Sequence, residues 1–209
     1  WSVGEIIKAL EKAGIRENTL IIISSDNGPV VDDGYADQSV EKLKNHKPWG
    51  PFRGGKYSSF EAGTRVPFII NWKGKINAKE SSALVSQIDM LATLAKFVGV
   101  DISSKGVLDS NDQLQTWLGL NEKGRDYLIG AASSLTVLTR TWKYIEPNNG
   151  AAYNLFTNTE LGNDTCDQLY NIIFDRGEYD NVADKNPLIV RFLKEILEEE
   201  KSKGIGLEL

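Results

Sequence analysis

An acid and an amide stand side by side at Asp26 and Asn27, directly after the apolar run of residues 20–23. A carboxylate and a side-chain carbonyl are hard oxygen donors, which suit Ca²⁺ or Mg²⁺. The β-branched run predicts a buried strand of a parallel sheet, and open α/β sheets bind ligands at the carboxyl edge of such strands. The pair is therefore a candidate metal site, although Asp-Asn-Gly is also ordinary turn chemistry.

A second candidate segment is residues 51–68, with the sequence Pro-Phe-Arg-Gly-Gly-Lys-Tyr-Ser-Ser-Phe-Glu-Ala-Gly-Thr-Arg-Val-Pro-Phe. It places Lys56 after two glycines, which let the backbone approach a ligand closely. A solvated turn is the alternative, because charged loop residues are usually just exposed. We expect Glu61 and Arg65 to brace this loop as an ion pair.

The elements that would position these segments follow from the pattern of apolar residues. The pattern predicts a first helix that ends at Gly14, strands at residues 19–24 and 66–72, and a helix at residues 86–98 with Ser86 and Asp89 as its capping box. Short runs between residues 127 and 174 predict an antiparallel sheet. A last helix is expected to open at Asn186-Pro187 and to fray in its charged tail.

Composition restricts the class of protein. The chain has 209 residues, 41% of them hydrophobic and 25% charged, which is typical of a globular domain. Its net charge of −5 argues against generic nucleic-acid binding, which needs a basic face. No apolar run approaches the roughly 20 residues that span a membrane.

The two candidate segments together resemble the sulfatase family of the alkaline phosphatase superfamily, in motif, order and separation. Looser similarity continues at residues 86–94, 142–145 and 168–178, so the resemblance covers nearly the whole chain. It implies an α/β fold, with the back half of an alkaline-phosphatase-like sheet domain at residues 1–105. A smaller α+β C-terminal subdomain with an antiparallel sheet would follow at residues 106–209.

The resemblance also implies roles for individual residues. Asp26 and Asn27 match the family's second pair of metal ligands; Ca²⁺ is the usual family metal, and Mg²⁺ is the alternative. Lys56 matches the lysine that contacts the sulfate, and is our candidate for both catalysis and substrate binding. Hydrolysis of a sulfate ester moves an anionic tetrahedral group, so most of the work is positioning and neutralisation of charge.

His46 and Asp33 are further candidates for substrate binding, and His46 does not match the histidines that the family uses. His46 is the only histidine and lies between the two segments; a surface or packing role is the alternative. Asp33 closely follows the Asp-Asn pair, where an acid could hydrogen-bond sugar hydroxyls. A solvated acidic turn explains it equally well.

The chain lacks the C-x-P-S-R or S-x-P-S-R motif that supplies the formylglycine nucleophile of sulfatases. Its single cysteine, Cys166, stands in Thr-Cys-Asp-Gln, and no Ser-x-Pro-x-Arg occurs. We therefore expect the C-terminal portion of a sulfatase, inactive alone, with the missing N-terminal half of the same protein as its partner. Cutting a doubly wound fold exposes edge strands and apolar faces, so we also expect self-association.

The resemblance implies hydrolysis of sulfate esters, of sulfated sugars or of aryl sulfates, by a periplasmic or secreted enzyme. No targeting signal is visible in this chain. A phosphodiesterase or phosphonate hydrolase of the same superfamily is one alternative. A non-catalytic carbohydrate-binding module is another, since some of the five tryptophans could stack on sugars.

The metal assignment makes a first prediction. Ca²⁺ takes about six to eight oxygen ligands, and Asp26 and Asn27 supply only two side chains. We expect calorimetric titration of the 209-residue chain with Ca²⁺ to give weak binding or none. Micromolar affinity would contradict the assignment of half a site.

Overall fold

The structure is a computed structural model that describes residues 1–102 and 109–204. The predicted boundary between residues 105 and 106 lies outside the described residues and stays a prediction. Among the described residues, none of the helices is both long and apolar enough to cross a membrane.

The secondary structure mixes helices with short strands. The helices are α1 (Ser2–Lys12), α2 (Ser39–Leu43), α3 (Glu61–Thr64), α4 (Met90–Phe97), α5 (Leu114–Trp117) and α6 (Pro187–Gly204), with 3₁₀ turns at Arg16–Asn18 and Gln87–Asp89. The strands are β1 (Ile21–Ser24), β2 (Phe68–Asn71), β3 (Leu128–Ala131), β4 (Leu135–Leu138), β5 (Trp142–Ile145), β6 (Tyr153–Asn154), β7 (Thr159–Glu160) and β8 (Gln168–Asn171).

The chain divides into two compact units, and each is built from two separate stretches of sequence. Unit 1 comprises Trp1–Ser25 and Pro67–Arg125. Unit 2 comprises Asp26–Val66 and Asp126–Leu209, and therefore contains both candidate segments as far as Val66.

Unit 1 contains a two-stranded sheet of β1 and β2. The pair is antiparallel, with Ile21 opposite Asn71 and Ser24 opposite Phe68. The predicted parallel pairing is thus wrong for this pair, and the residues of β1 are only half-buried. A continuous apolar run indicates that both faces of a strand suit burial, but it carries no information about the direction of the neighbouring strand.

The first helix of unit 1 ends at the predicted glycine, and the predicted helix of residues 86–98 is a 3₁₀ turn followed by α4, but the apolar faces of both are open. Gly14 follows α1 with a φ of +70°, and the capping box of Ser86 and Asp89 is present. The apolar stripe of α4, which helical spacing would place in the core, is buried only in part, because Leu91 is 55% exposed whereas Ala95 is 8% exposed. Helical spacing tells which residues share a face, and not whether another element covers that face.

Unit 2 is organised around the predicted antiparallel sheet, which has the order β3-β4-β5-β8. One face packs against α6, and the core joins Val137, Tyr144 and Leu169 of the sheet to Leu193 and Leu197 of the helix. The start of α6 at Pro187 is as predicted.

The expected fraying of the charged tail of α6 is wrong. The helix continues to Gly204. Lys201 pairs with Glu198 at 2.8 Å and Lys203 pairs with Glu199 at 2.9 Å. Opposite charges three or four residues apart meet on one helix face and stabilise its last turns.

A buried ion cluster ties the loop of residues 51–66 to the sheet of unit 2. Lys143 of β5 is 1% exposed, and its Nζ lies 3.0 Å from Glu61 Oε1 and 3.7 Å from Glu178 Oε1. The other carboxylate oxygen of Glu61 lies 2.6 Å from Arg65 Nε, so the predicted brace is confirmed. Glu178 Oε2 accepts a 2.6 Å hydrogen bond from the backbone N–H of Glu61.

The pKa values of the two acids of this cluster are shifted in opposite directions. Burial raises the pKa of Glu178 to about 7, although the attraction of Lys143 opposes it. Burial also disfavours the charged form of Glu61, but the attraction of Lys143 and Arg65 outweighs it and lowers the pKa of Glu61. Glu178 Oε1 has no hydrogen bond among the described residues, which is consistent with its reluctance to ionise.

We expect Glu178→Gln to flatten the pH dependence of stability. The pKa of Glu178 rises from an ordinary 4.5 to about 7 on folding. Between these values the native state holds more protons than the unfolded state, so stability falls as the pH rises. Glutamine keeps the acceptor for the Glu61 N–H and removes the titration. Urea midpoints from about pH 5 to 8 should therefore decline less in the variant than in the original chain.

Glu195→Gln is the matched control, since Glu195 is an exposed acid on α6. It should leave the pH profile unchanged. Superimposable profiles for the Glu178→Gln variant and the original chain would show that Glu178 ionises normally.

Candidate functional site

The two candidate segments lie against each other in unit 2 and are joined through their backbones. The Gly28 N–H donates to the Gly63 carbonyl at 3.0 Å, and the Lys56 N–H donates to the Pro29 carbonyl at 2.9 Å. The Asp-Asn pair directly precedes Gly28 in the chain. The structure thus brings the segment of the predicted metal ligands together with the segment of Lys56.

Glycine is required where these backbones meet. A Cβ on Gly28 would lie 1.6 Å from the Ala62 carbonyl oxygen, and a Cβ on Gly63 would lie 2.0 Å from the Ser58 carbonyl oxygen. Both contacts are with backbone atoms, which cannot swing aside as a flexible side chain does. Gly28 therefore allows the close approach of the two segments, and Gly63 allows the Lys56 segment to fold tightly on itself.

Lys56 and Asp33, both predicted site residues, form an ion pair. Lys56 Nζ lies 2.7 Å from Asp33 Oδ2, and the Tyr57 hydroxyl donates to Asp33 Oδ1 at 2.8 Å. The hydrogen bonds from Lys56 and Tyr57 lower the pKa of Asp33, and the bond to Asp33 raises the pKa of Lys56. Lys56 is therefore held as a cation at neutral pH, with its side chain still partly accessible.

Asp26 and Asn27 offer the oxygen donors that a hard cation prefers. Asp26 is exposed and Asn27 is half-buried. Asn27 Nδ2 donates to the Gly28 carbonyl at 2.8 Å, which directs the amide oxygen away from that bond. Within residues 1–102 and 109–204, no cluster of three or more His, Cys, Asp or Glu side chains could hold a metal. The pair fits Ca²⁺ or Mg²⁺ in its chemistry but supplies only part of a coordination shell.

His46 lies just beyond α2 and is exposed. Its backbone N–H donates to the Leu43 carbonyl at 2.8 Å. In the described part of the chain, neither Lys56 nor Asp33 hydrogen-bonds to its imidazole. The assignment of His46 to substrate binding stays a prediction.

Arg53 supports the loop of Lys56 and was not among the predicted site residues. Its Nε donates to Glu160 Oε2 at 2.7 Å, its Nη2 bonds the other oxygen of that carboxylate, and its Nη1 bonds the Glu178 carbonyl. The guanidinium lies 4.0 Å from the centre of the Phe60 ring. This bidentate pair fixes the loop on the β6–β7 hairpin.

One sequence signal could have found part of this support. Lys143 stands inside the apolar run of β5, between Trp142 and Tyr144. A lysine in such a strand is rarely buried without an acidic partner. The identity of that partner is not local information, since Glu61 is 82 residues away in the sequence.

Comparison with known proteins gives a consistent result. The family model described as Sulfatase matches residues 1–100. An N-acetylgalactosamine-6-O-sulfatase of Bacteroides thetaiotaomicron is 43% identical over 205 residues, which cover 97% of this chain and 40% of that protein. An N-acetylgalactosamine-6-sulfatase of Rattus norvegicus is 36% identical over 118 residues, covering 56% of this chain and 21% of the relative.

Solved structures agree with the sequence matches. A structure from work on the metabolism of multiple glycosaminoglycans by Bacteroides thetaiotaomicron aligns with a TM-score of 0.93 at 43% identity, over 97% of this chain and 42% of that one. The PsFucS1 sulfatase of Pseudoalteromonas sp. aligns with a TM-score of 0.73 at 24% identity, over 95% of this chain and 40% of the other, and agrees in fold.

The chain spans about 40% of the length of the Bacteroides relative, which is consistent with the predicted C-terminal portion of a longer enzyme. The motif segments, the pairing of their backbones and the matched folds lead to one assignment. The chain belongs to the sulfatase family, whose fold is that of alkaline phosphatase.

Proposed function

We propose that this chain forms part of the active site of an enzyme that hydrolyses sulfate esters of sugars. The observation that carries the proposal is the backbone pairing between the Asp-Asn segment and the Lys56 segment. This pairing places the oxygen donors of Asp26 and Asn27 and the ion-paired ammonium of Lys56 on neighbouring segments of unit 2. Such a combination suits an anionic, tetrahedral group whose charge must be neutralised.

Lys56 would contact the non-bridging oxygens of the sulfate. Its ion pair with Asp33 keeps the ammonium charged and oriented before the substrate arrives. A charge already in position needs no reorganisation during the reaction, which is the source of electrostatic catalysis. Asp33 would thus position Lys56 and offer its other oxygen, together with the Tyr57 hydroxyl, to the substrate.

Asp26 and Asn27 would hold Ca²⁺, with Mg²⁺ as the alternative, through their side-chain oxygens. When bound, the cation would add positive charge beside the sulfate group. The remaining ligands would come from the rest of the enzyme, because the two residues supply too few for either metal.

The names of the relatives, and the share of this chain that each aligns with, favour sulfated sugars as substrates. The Bacteroides N-acetylgalactosamine-6-O-sulfatase aligns with 97% of this chain, whereas the steryl-sulfatase of Rattus norvegicus aligns with 57%. An aryl or steryl sulfate is therefore the less favoured substrate class. His46 remains our candidate for contact with the sugar.

The nucleophile would come from outside this chain. Its only cysteine, Cys166, is exposed and stands outside any formylglycine motif. We therefore infer that the chain is inactive alone and completes its site with the N-terminal half of the same protein. The open apolar faces of unit 1 would make the isolated chain self-associate. By its family, the enzyme would work in the periplasm or outside the cell.

Lys56→Ala tests the proposal in the active enzyme that contains this chain. Loss of a preorganised charge should reduce kcat/KM for a chromogenic sulfate ester by about 10²–10³-fold. The backbone bond of residue 56 to Pro29 is kept in the variant, so the fold should persist. Lys47→Ala is the matched control, since Lys47 is an exposed lysine of the segment that connects β1 to β2. A loss for Lys56→Ala no greater than that for Lys47→Ala would contradict the role of Lys56.

A further inference from the structure

A cavity of about 520 Å³ lies within unit 2, beside the Lys56 segment. Pockets of roughly 300–1,000 Å³ are of the size that proteins use for small ligands. Its walls come from the segment after Asn27, from the connection that contains α2, and from the β6–β7 hairpin. Five of its lining residues are aromatic: Trp49, Phe52, Tyr153, Phe156 and Tyr179.

The cavity is lined by the residues that directly precede the two members of the ion pair of the proposed sulfate site, and not by Asp33 or Lys56 themselves. Asp32, which lines the cavity, immediately precedes Asp33, and Gly55, which also lines it, immediately precedes Lys56. Pro29 belongs to both places, because its carbonyl accepts from the Lys56 N–H while the residue lines the cavity. A ligand with an anionic group at Lys56 could therefore extend into this space.

Two of the aromatic side chains that line the cavity are largely exposed to solvent. Phe156 is 87% exposed and Tyr179 is 77% exposed. Their backbones are nevertheless held, since the Phe156 N–H donates to Asn154 Oδ1 at 3.0 Å and the Tyr179 N–H donates to Asp175 Oδ2 at 2.8 Å. Aromatic rings carried on held backbone at the wall of a cavity suit the apolar C–H face of a sugar ring.

The charge of the lining selects the kind of sugar. Arg53 is bonded through Nε and Nη2 to Glu160 and through Nη1 to the Glu178 carbonyl, so its guanidinium is less available to an anion than the Lys56 ammonium, which bonds Asp33. Asp32 adds a further negative charge, which already accepts a 3.1 Å hydrogen bond from the Ser39 hydroxyl. A second sulfate or a carboxylate here would meet the carboxylates of Asp32 and Glu160, and among the described residues that line the cavity the only cation is Arg53. Hydroxyl and amide groups, in contrast, can donate hydrogen bonds to them.

We propose that this cavity binds an uncharged sugar unit joined to the sulfated one, and so makes the enzyme prefer an oligosaccharide to a sulfated monosaccharide. The inference rests on the proposed function, because the sulfate at Lys56 fixes where the neighbouring unit lies. It adds a second recognition site, of stated chemistry, to the site of hydrolysis.

The test compares two substrates in the active enzyme that contains this chain. One is 6-O-sulfated N-acetylgalactosamine; the other is the same sugar linked to an uncharged N-acetylhexosamine. The unmodified enzyme should have a higher kcat/KM for the disaccharide. Phe156→Ala should reduce that preference roughly fivefold to tenfold, mainly through KM, since a stacked aromatic contact contributes about 1 kcal/mol.

Leu155→Ala is the matched control, because Leu155 is 89% exposed on the same turn but does not line the cavity. It should leave the preference unchanged. The proposal is overturned if the unmodified enzyme has no preference for the disaccharide. It is also overturned if Phe156→Ala and Leu155→Ala change the preference equally.

A separate binding measurement distinguishes failure of the cavity from failure of the proposed function. Hydrolysis of neither substrate would refute the proposed function alone. Saturation-transfer NMR with the unsulfated disaccharide then tests whether the cavity binds the uncharged sugar. Transfer to the sugar that is lost in Phe156→Ala and kept in Leu155→Ala supports the cavity, and equal transfer in both variants refutes it.

Discussion

The burial of Lys143 between Glu61 and Glu178 is the constraint on which the rest of unit 2 depends. All three side chains are at most 1% exposed, so their charges exchange water for one another, for Arg65 and for neighbouring backbone groups. Removing one partner from such a cluster commonly costs about 3–5 kcal/mol, because the remaining charge is left buried and unpaired. The cluster therefore fixes the position of the loop of residues 51–66 on the sheet.

Only a few residues of chain separate this buried cluster from the candidate site. Glu61 opens α3, and the next two residues, Ala62 and Gly63, supply the backbone atoms that lie closest to Gly28. The same loop carries Lys56, whose N–H is fixed by the Pro29 carbonyl. The ion cluster thus acts as a positioning device: it touches no predicted ligand, yet it determines where both candidate segments meet.

Local chemistry explains what could be predicted from the sequence. The capping box at Ser86, the glycine after α1 and the Asn-Pro start of α6 depend on neighbouring residues alone, and all three are present. The resemblance to sulfatases picked out the two motif segments, and the structure shows that they meet.

Long-range pairing explains what could not be predicted. The direction of β2 against β1, the exposure of the α4 stripe and the partners of Lys143 depend on residues far away in the chain. Glu61 and Glu178, for example, are joined across 117 residues, and no periodicity encodes such a contact. The aromatic cavity is likewise assembled from segments whose separate sequences are unremarkable turns and strands.

Amide hydrogen exchange in a Lys143→Met variant tests the central claim most directly. The decisive amides are those of Gly28 and Lys56, which donate to Gly63 and Pro29 across the two segments. Our account predicts that both exchange faster than in the original chain, while Thr136, which lies opposite Gly130 in the strand pair β3–β4, keeps its protection. Unchanged protection of Gly28 and Lys56 would show that the segments hold each other without the buried cluster, and would contradict the account.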